Sequence, residues 1–191
     1  MTPKFIYSAA PQKDQILELK KFCSSDFFDL PLLPFFSREA INFLNELSSK
    51  ILKRPDIRSF PELLALAFWL RKGNLVPIFQ NWQNKVSKEE KVFARGVAFH
   101  IAPSNVDSIF LYSWALSLLS GNSNLVRVSR TRSNQLEILF EIINKLYKTL
   151  SIRLIRLIAY RSRMNAVNIQ IKLKIRSRKV YRSSEIKESN L

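Results

Sequence analysis

Apolar residues recur at helical spacing in two stretches of the first half of the chain. Residues 13–23 and 38–52 each carry apolar side chains three or four positions apart, with polar side chains between them. This period predicts two amphipathic helices. The segment DFFDLPLLPFF, residues 26–36, lies between them and is strongly apolar, but Pro31 and Pro34 exclude a regular helix. We therefore expect it to run extended across another surface of the protein.

A third helix is predicted over Leu63–Lys72, where most side chains are apolar, so that burial on two sides is expected. The preceding Ser59-Phe60-Pro61-Glu62 matches a capping box, in which proline is tolerated in the first turn. Gly73 is placed to end this helix. The more polar Asn81-Trp82-Gln83 is predicted to be a connector.

The hydrophobic pattern changes after residue 95. Gly96–Ile101 is a short apolar run with few polar interruptions, which is typical of a parallel strand covered on both faces. Gly121 is placed to close the helix that follows, and Ser133 to cap the next one. The predicted elements are strands at 96–101, 125–128 and 154–158, and helices at 106–120 and from Ser133 onward. This order is β-α-β-α-β, and right-handed crossovers make the sheet parallel.

Two turns of this unit are the candidate site. Residues 102–105 and 129–132 each follow a predicted strand, so they are expected at the carboxyl ends of adjacent parallel strands. Open α/β sheets bind their ligands at that edge.

The end of the chain has a different pattern. Residues 167–175 alternate strictly between apolar and polar side chains, which predicts a half-exposed strand. Residues 176–191 are polar, basic and rich in serine, and we expect them to be frayed. The chain is thus divided into a helical N-terminal region at 1–95, a partial parallel β-α-β-α-β unit at 96–158 and a basic tail at 159–191.

The positive charge of the chain is distributed unevenly along the sequence. The 191 residues are 47% hydrophobic, which is typical of a folded protein, and the formal net charge is +16. Residues 151–191 alone carry 11 basic and 2 acidic side chains. Such a tail favours an anionic partner, either nucleic acid or an anionic membrane. Aromatic side chains are scarce there, with only Tyr160 and Tyr181, so binding of single-stranded nucleic acid by stacking is not favoured.

The small numbers of cysteine and histidine, and the short apolar runs, exclude several kinds of site and segment. Cys23 is the only cysteine and His100 the only histidine, which excludes an intrachain disulfide, a zinc site of paired thiolates and a His-rich metal site. The longest apolar run, Leu63–Leu70, is too short to span a bilayer, and the N-terminus lacks a secretory core. We therefore expect a soluble, cytoplasmic protein without a membrane span.

The candidate binding and catalytic residues lie around the two turns, and no single one of them identifies the function. Asn105 could donate its amide to a developing oxyanion or could cap the following helix, and the residues leave both readings open. Arg127, Arg130 and Arg132 could hold a phosphate or could form a solvated rim. His100 is expected to be structural rather than a base, and Cys23 to be a small buried side chain rather than a nucleophile. The dinucleotide fingerprint G-x-G-x-x-G is absent, because the chain has only three glycines.

Two stretches of the chain resemble one known family. The run GVAFHIAPSNVDSIFLYSWALSLLSGNSNLVRVSRTRS, residues 96–133, and the preceding FPELLALAFWLRKGNL, residues 60–75, are similar to the LuxC-type acyl-CoA reductase family. This family includes the aldehyde-forming subunit of the bacterial bioluminescence fatty-acid reductase complex and belongs to the aldehyde dehydrogenase superfamily. The resemblance covers about residues 25–150. It implies an α/β fold, an incomplete aldehyde-dehydrogenase-like Rossmann-variant cofactor domain that lacks the glycine fingerprint, with residues 96–158 as part of the cofactor-binding unit.

The resemblance also implies roles for individual residues. Pro103-Ser104-Asn105 stands where the superfamily has Pro-x-Asn, which would make Asn105 the donor to the thioester oxyanion. Arg127 stands where the superfamily usually has a lysine that binds the adenine ribose, and Ser129 lies near the same group. Arg130 replaces a glutamate kept by many NAD-using members. A cation there would pair with a 2′-phosphate, so the implied cofactor is NADPH.

The chain departs from the family in what it lacks. The family's catalytic cysteine, its general-base glutamate and its second cofactor motif match nothing in residues 151–191. We therefore expect a truncated acyl-CoA reductase that does not turn over. In the parent activity a fatty acyl-CoA or acyl-protein thioester is reduced to the aldehyde, with other fatty-acid reductase subunits as partners. The alternative is a non-catalytic basic interaction protein that binds nucleic acid or an anionic membrane through its tail.

Overall fold

The computed structural model describes residues 4–6, 16–18, 32–87, 90, 92–101, 109–128, 134–150 and 157–160. The helices are α1 (Arg38–Leu52), α2 (Pro61–Trp69), α3 (Lys72–Gln83), α4 (Phe110–Leu119) and α5 (Asn134–Leu150). The strands are β1 (Lys4–Ile6), β2 (Ile16–Glu18), β3 (Val97–Ile101), β4 (Ser123–Arg127) and β5 (Leu157–Tyr160). A 3₁₀ turn at Ile57–Ser59 precedes α2. Among the described residues, no helix has both the length and the apolar character needed to cross a bilayer.

The second half of the chain forms a three-stranded parallel sheet in the order β3-β4-β5. Helices α4 and α5 are the crossovers, so the predicted β-α-β-α-β unit is confirmed. The centre of the sheet is dry, because Ser123 to Val126 of β4 are all buried. Strand β3 differs, since its residues are half-buried and Ile101 is 46% exposed. The prediction that both faces of β3 are covered is wrong, because the residues that point to either face keep part of their surface accessible to solvent.

One apolar core joins the first half of the chain to the sheet. Helix α1 packs on α2, α3, α4 and α5, and the ring of Phe43 meets the edge of Trp114 in α4 at a centroid distance of 6.3 Å. The inward face of α5 is buried. Its buried side chains in this core include Leu136, Leu139, Phe140, Ile143 and Leu146. Because these side chains and those of α1 belong to one cluster, the helices before residue 95 and the β-α-β unit exclude water together.

The apolar residues before α1 form a strap, residues 32–36, that crosses the end of α4 and closes in a turn at Phe35 and Phe36, where Phe36 has φ +49°. Leu33 donates its N–H to the carbonyl of Gly121 at 3.2 Å, and Phe36 donates to the carbonyl of Leu119 at 2.6 Å. Leu33 is buried in the core. Gly121 has φ +86°, which satisfies the left-handed turn that closes a helix. The expectation of a Gly121 helix end is confirmed. The expected extended segment 26–36 is described only from residue 32, and the expectation is wrong at Phe35 and Phe36, which lie in a turn where the N–H of Ser37 donates to the carbonyl of Pro34 at 3.1 Å.

Two predictions near the N-terminus are wrong in detail. Residues 16–18 are strand β2, paired antiparallel with β1, and not part of a helix over 13–23, because the two strands satisfy each other's backbone groups. Helix α2 begins at Pro61 after Phe60, one residue later than the capping box of Ser59 requires, because Ser59 closes the 3₁₀ turn.

The break between α2 and α3 also differs from the prediction. Helix α2 ends at Trp69, and Gly73 does not terminate it but lies in the first turn of α3. The break is at Arg71, which is extended, and the side-chain carbonyl of Asn45 in α1 accepts the N–H of Lys72 at 2.9 Å. A cap supplied by another helix leaves no local sequence signal. The expected connector at Asn81-Trp82-Gln83 is instead the last turn of α3.

Candidate functional site

The carboxyl ends of β3 and β4 lie side by side. Ile101, the last residue of β3, pairs with Arg127, the last residue of β4, and Arg127 pairs in turn with Tyr160 of β5. The two segments that follow β3 and β4 therefore start from the same edge of the sheet. This is the relation that places a ligand site at the end of a parallel sheet.

Arg127 is the candidate ligand-binding residue that the structure describes. Its side chain is half-buried, and its Nε is shielded from solvent without a hydrogen-bond partner among the described residues. A buried guanidinium N–H without an acceptor is costly, so such a group favours an anionic or carbonyl oxygen at this edge. The position of Arg127 at the strand end agrees with the sequence prediction.

The other predicted site residues lie outside the described residues. These are Asn105 in the first turn and Ser129, Arg130 and Arg132 in the second. The structure fixes the strand ends from which both turns start, and the roles of these side chains stay predictions. The alternating segment 167–175, the tail 176–191 and Cys23 also lie outside the described residues.

A polar cluster formed by His100, Ser113 and Asn124 lies just behind the strand ends. His100 of β3 contacts Asn124 of β4 through Nε2, at 3.0 Å from Oδ1, and Ser113 of α4 through Nδ1, at 3.1 Å from Oγ. Asn124 is fully buried, whereas Ser113 is exposed. The imidazole therefore spans from the dry centre of the sheet to the surface of α4.

The hydrogen bonds of Asn124 fix the tautomer of His100. The Asn124 amide nitrogen donates to the carbonyl of Asn122 at 2.8 Å, which leaves Oδ1 to accept from the imidazole. Nε2 therefore carries a proton, and Nδ1 is the nitrogen that titrates. Burial lowers the pKa of His100 from its ordinary value of 6.5, and the hydrogen bond to Asn124 opposes that shift. At neutral pH the ring is uncharged.

Sequence reasoning identified His100 but missed its partners Asn124 and Ser113. The available signal was Asn124 itself, a polar residue inside the apolar run of β4. A buried amide needs partners, so its presence in a central strand indicates a polar neighbour on the next strand. Which neighbour it is depends on the register, in which Asn124 pairs with Ala98 and lies diagonally beside His100.

Charged clusters elsewhere in the described residues are structural. Arg54 forms a forked pair with Asp56 at 2.9 Å and lies 3.9 Å from Glu141, which also pairs with Lys145. Hydrogen bonds from these cations lower the pKa values of Asp56 and Glu141. Asp56, Glu141 and Lys145 are exposed and Arg54 is partly exposed, so the contribution to stability is small. Among the described residues, no group of three or more metal-ligating side chains is clustered.

Comparison with known proteins places this chain in a family. A crystal structure of an aldehyde dehydrogenase from Brucella melitensis biovar abortus 2308 is similar over 88% of this chain and 40% of its own, with 13% identity and a TM-score of 0.45. The present chain thus spans two fifths of the length of that structure. No curated protein sequence matches the chain. The family model "Acyl-CoA reductase (LuxC)" matches residues 37–168, which is more than half of the chain and includes α1 to α5 and the three parallel strands. The chain therefore belongs to the acyl-CoA reductase (LuxC) family.

Proposed function

We propose that this chain supplies the cofactor-binding part of a cytoplasmic, NADPH-dependent fatty acyl-CoA reductase. The observation that carries the proposal is Arg127 at the carboxyl end of a central parallel strand, whose half-buried guanidinium has an Nε without a hydrogen-bond partner among the described residues. Family membership supplies the reaction class, the reduction of an acyl-CoA thioester.

Arginines at this edge suit the adenosine 2′-phosphate of NADPH. The shielded Nε of Arg127 needs an acceptor, and a phosphate oxygen satisfies a guanidinium better than any neutral group does. In this proposal Arg130, three residues further along the same chain segment, supplies a second cation, and Ser129 contacts the adjacent ribose. NADH has no 2′-phosphate, so NADPH is expected to bind more tightly.

Asn105 is proposed to act on the thioester. The turn that carries it begins after Ile101, beside the strand end of Arg127. An amide N–H held at that point stabilises the oxyanion that forms when a thioester carbonyl is attacked. When bound, NADPH supplies the hydride. The acyl substrate is proposed to be a fatty acyl-CoA or an acyl-protein thioester, with other subunits of a fatty-acid reductase complex as partners.

Calorimetric titration of the 191-residue chain with NADPH and with NADH tests the cofactor assignment. Each charge-assisted hydrogen bond is worth about 1.5–3 kcal/mol when it is desolvated, and less on an exposed rim. We expect NADPH to bind at least about tenfold more tightly than NADH, because RT ln 10 is about 1.4 kcal/mol. Arg130→Glu should remove this preference. Arg95→Glu is the matched control, because Arg95 is exposed and precedes the opposite end of β3.

The alternative function predicts a different result. If the basic tail of residues 151–191 binds anions without a built site, NADPH and NADH should bind equally, and inorganic polyphosphate should displace both. Equal affinities, or equal effects of the Arg130 and Arg95 substitutions, would contradict the assignment of the 2′-phosphate to this strand end.

We also propose that these 191 residues bind the cofactor without completing a turnover. Thioester reduction of this type needs a cysteine thiolate, and Cys23 is the only thiol in the sequence. In this proposal Cys23, which follows Phe22 in the sequence, is a small inert side chain and not the nucleophile. The chain mixed with long-chain acyl-CoA and NADPH should therefore form no aldehyde. Aldehyde production that is lost in Cys23→Ala would identify Cys23 as the nucleophile and refute this proposal.

A further inference from the structure

His100 joins the two chain segments from which the candidate site is built. We propose that His100 is a positioning residue, whose hydrogen bonds to Ser113 and Asn124 tie the end of β3 and the start of α4 to β4, beside Arg127, and so fix the two described points between which the segment that carries Asn105 runs. This inference rests on the function proposed above, because it assigns the frame of that same site.

The contact between His100 and Ser113 links the two sides of the segment 102–108. His100 lies two residues before the turn begins, and Ser113 lies in the first turns of α4, five residues after it ends. The 3.1 Å contact between Nδ1 and Oγ therefore closes a short ring of chain that contains Asn105. Closing a short ring removes much of the conformational freedom of the residues inside it.

The contact with Asn124 connects that ring to the second strand. Asn124 lies on β4, three residues before Arg127, and its side chain is fully buried. Its amide is held by donation to the carbonyl of Asn122. The side chain of Asn122 in turn accepts the N–H of Arg95 at 2.7 Å, and its N–H donates to the carbonyl of Ser117 at 3.1 Å. The imidazole is therefore hydrogen-bonded to a side chain that is itself held in place.

The hydroxyl of Ser113 is the adjustable member of the cluster. Its single proton has two acceptors within reach, the carbonyl of Phe110 at 2.8 Å and the unprotonated Nδ1 of His100. Ser113 is exposed, so its removal leaves the core and the buried Asn124 contact intact. Ser113→Ala therefore tests the contact between His100 and Ser113 without a large change in the overall stability of the protein.

The matched control is Ser120→Ala. Ser120 lies at the other end of α4, and its hydroxyl makes the same kind of bond to the helix, to the carbonyl of Leu116 at 2.9 Å. Among the described residues it has no hydrogen bond to an imidazole. Ser113→Thr restores the hydroxyl and is the conservative rescue.

The experiment measures amide hydrogen exchange in peptides that cover residues 100–110, together with the NADPH affinity of the same full-length variants. Losing one hydrogen bond should increase local opening, and hence exchange, by about fivefold in Ser113→Ala. Ser120→Ala and Ser113→Thr should exchange like the wild type. The NADPH affinity of Ser113→Ala should fall by a similar factor. Because His100 is the only histidine, its ¹⁵N resonances report directly on its contact with Ser113. The Nδ1 resonance should shift only in Ser113→Ala.

Each outcome decides a separate point. Equal exchange in Ser113→Ala and Ser120→Ala would overturn the positioning role, whether or not NADPH binds. Faster exchange in Ser113→Ala with unchanged NADPH affinity would show that the contact between His100 and Ser113 does not affect binding at the site. If the wild type binds no NADPH, faster exchange in Ser113→Ala would support the positioning role of His100 and refute the proposed function instead.

Discussion

Replacement of Gly121 by alanine should destabilise the protein more than any other glycine substitution. Gly121 ends α4 with φ +86°, and a Cβ added there would lie 2.1 Å from the carbonyl oxygen of Leu33 and 3.1 Å from the Cβ of Ala94. A contact of 2.1 Å with a backbone oxygen cannot be relieved by a side-chain rotation. The strap must move away from α4 to make room.

The expected cost has two parts. A non-glycine residue at positive φ costs about 1–3 kcal/mol. Displacing the strap weakens the hydrogen bonds from Leu33 to Gly121 and from Phe36 to Leu119, each worth about 1 kcal/mol. Gly121→Ala should therefore lower the free energy of unfolding by about 3–5 kcal/mol.

The two remaining glycines separate these parts. Gly96 also has a positive φ, +107°, but an added Cβ has no neighbour within 4 Å, so Gly96→Ala should show the conformational cost alone. Gly73 lies in α3 with an ordinary backbone and open space, and Gly73→Ala should stabilise by about 0.4–1 kcal/mol. Urea unfolding of the three variants measures the differences. Equal losses in Gly121→Ala and Gly96→Ala would show that the strap does not press on α4.

Two further predictions concern buried polar groups. As pH falls from about 7.5 to 5, the free energy of unfolding should decrease, because burial lowers the pKa of His100 below 6.5 and the unfolded chain takes up the proton first; urea unfolding across this range should show a flatter profile in His100→Gln, and an unchanged profile would contradict the shift. The Ser48 hydroxyl, buried in α1, donates to the carbonyl of Ala67 in α2 at 2.5 Å. Ser48→Ala should cost about 1 kcal/mol in thermal or urea unfolding, whereas the adjacent Ser49→Ala should cost nothing measurable, and equal effects would refute the role of this bond.

The parallel sheet was predictable from the sequence because its signals are local. Apolar runs marked β3 and β4, and Gly121 marked the helix end between them. The alternation of strands with helices then fixed a parallel arrangement, since only a crossover can return the chain to the same edge. The placement of Arg127 at a strand end followed from the same reasoning, because it needed only the element order.

Features that depend on contacts between distant segments were not predictable. The break before α3 is capped by Asn45 from another helix, and no local residue announces it. Strand β2 was predicted as a helix because two or three apolar positions in a short segment fit either period. The His100–Asn124 contact depends on a strand register that the sequence does not specify.

The strap affects the order in which the protein can fold. Residues 32–36 leave the ribosome early, but their hydrogen-bond partners at Leu119 and Gly121 are synthesised only after α1, α2, α3, β3 and α4. Phe43 of α1 likewise waits for Trp114. Contacts between segments this far apart close large loops and form late. Helix α1 can pack on α2 and α3 as soon as they emerge, whereas the strap and the part of α1 that contacts α4 and α5 stay uncovered until those helices are synthesised, so the N-terminal helices complete their core only after α5.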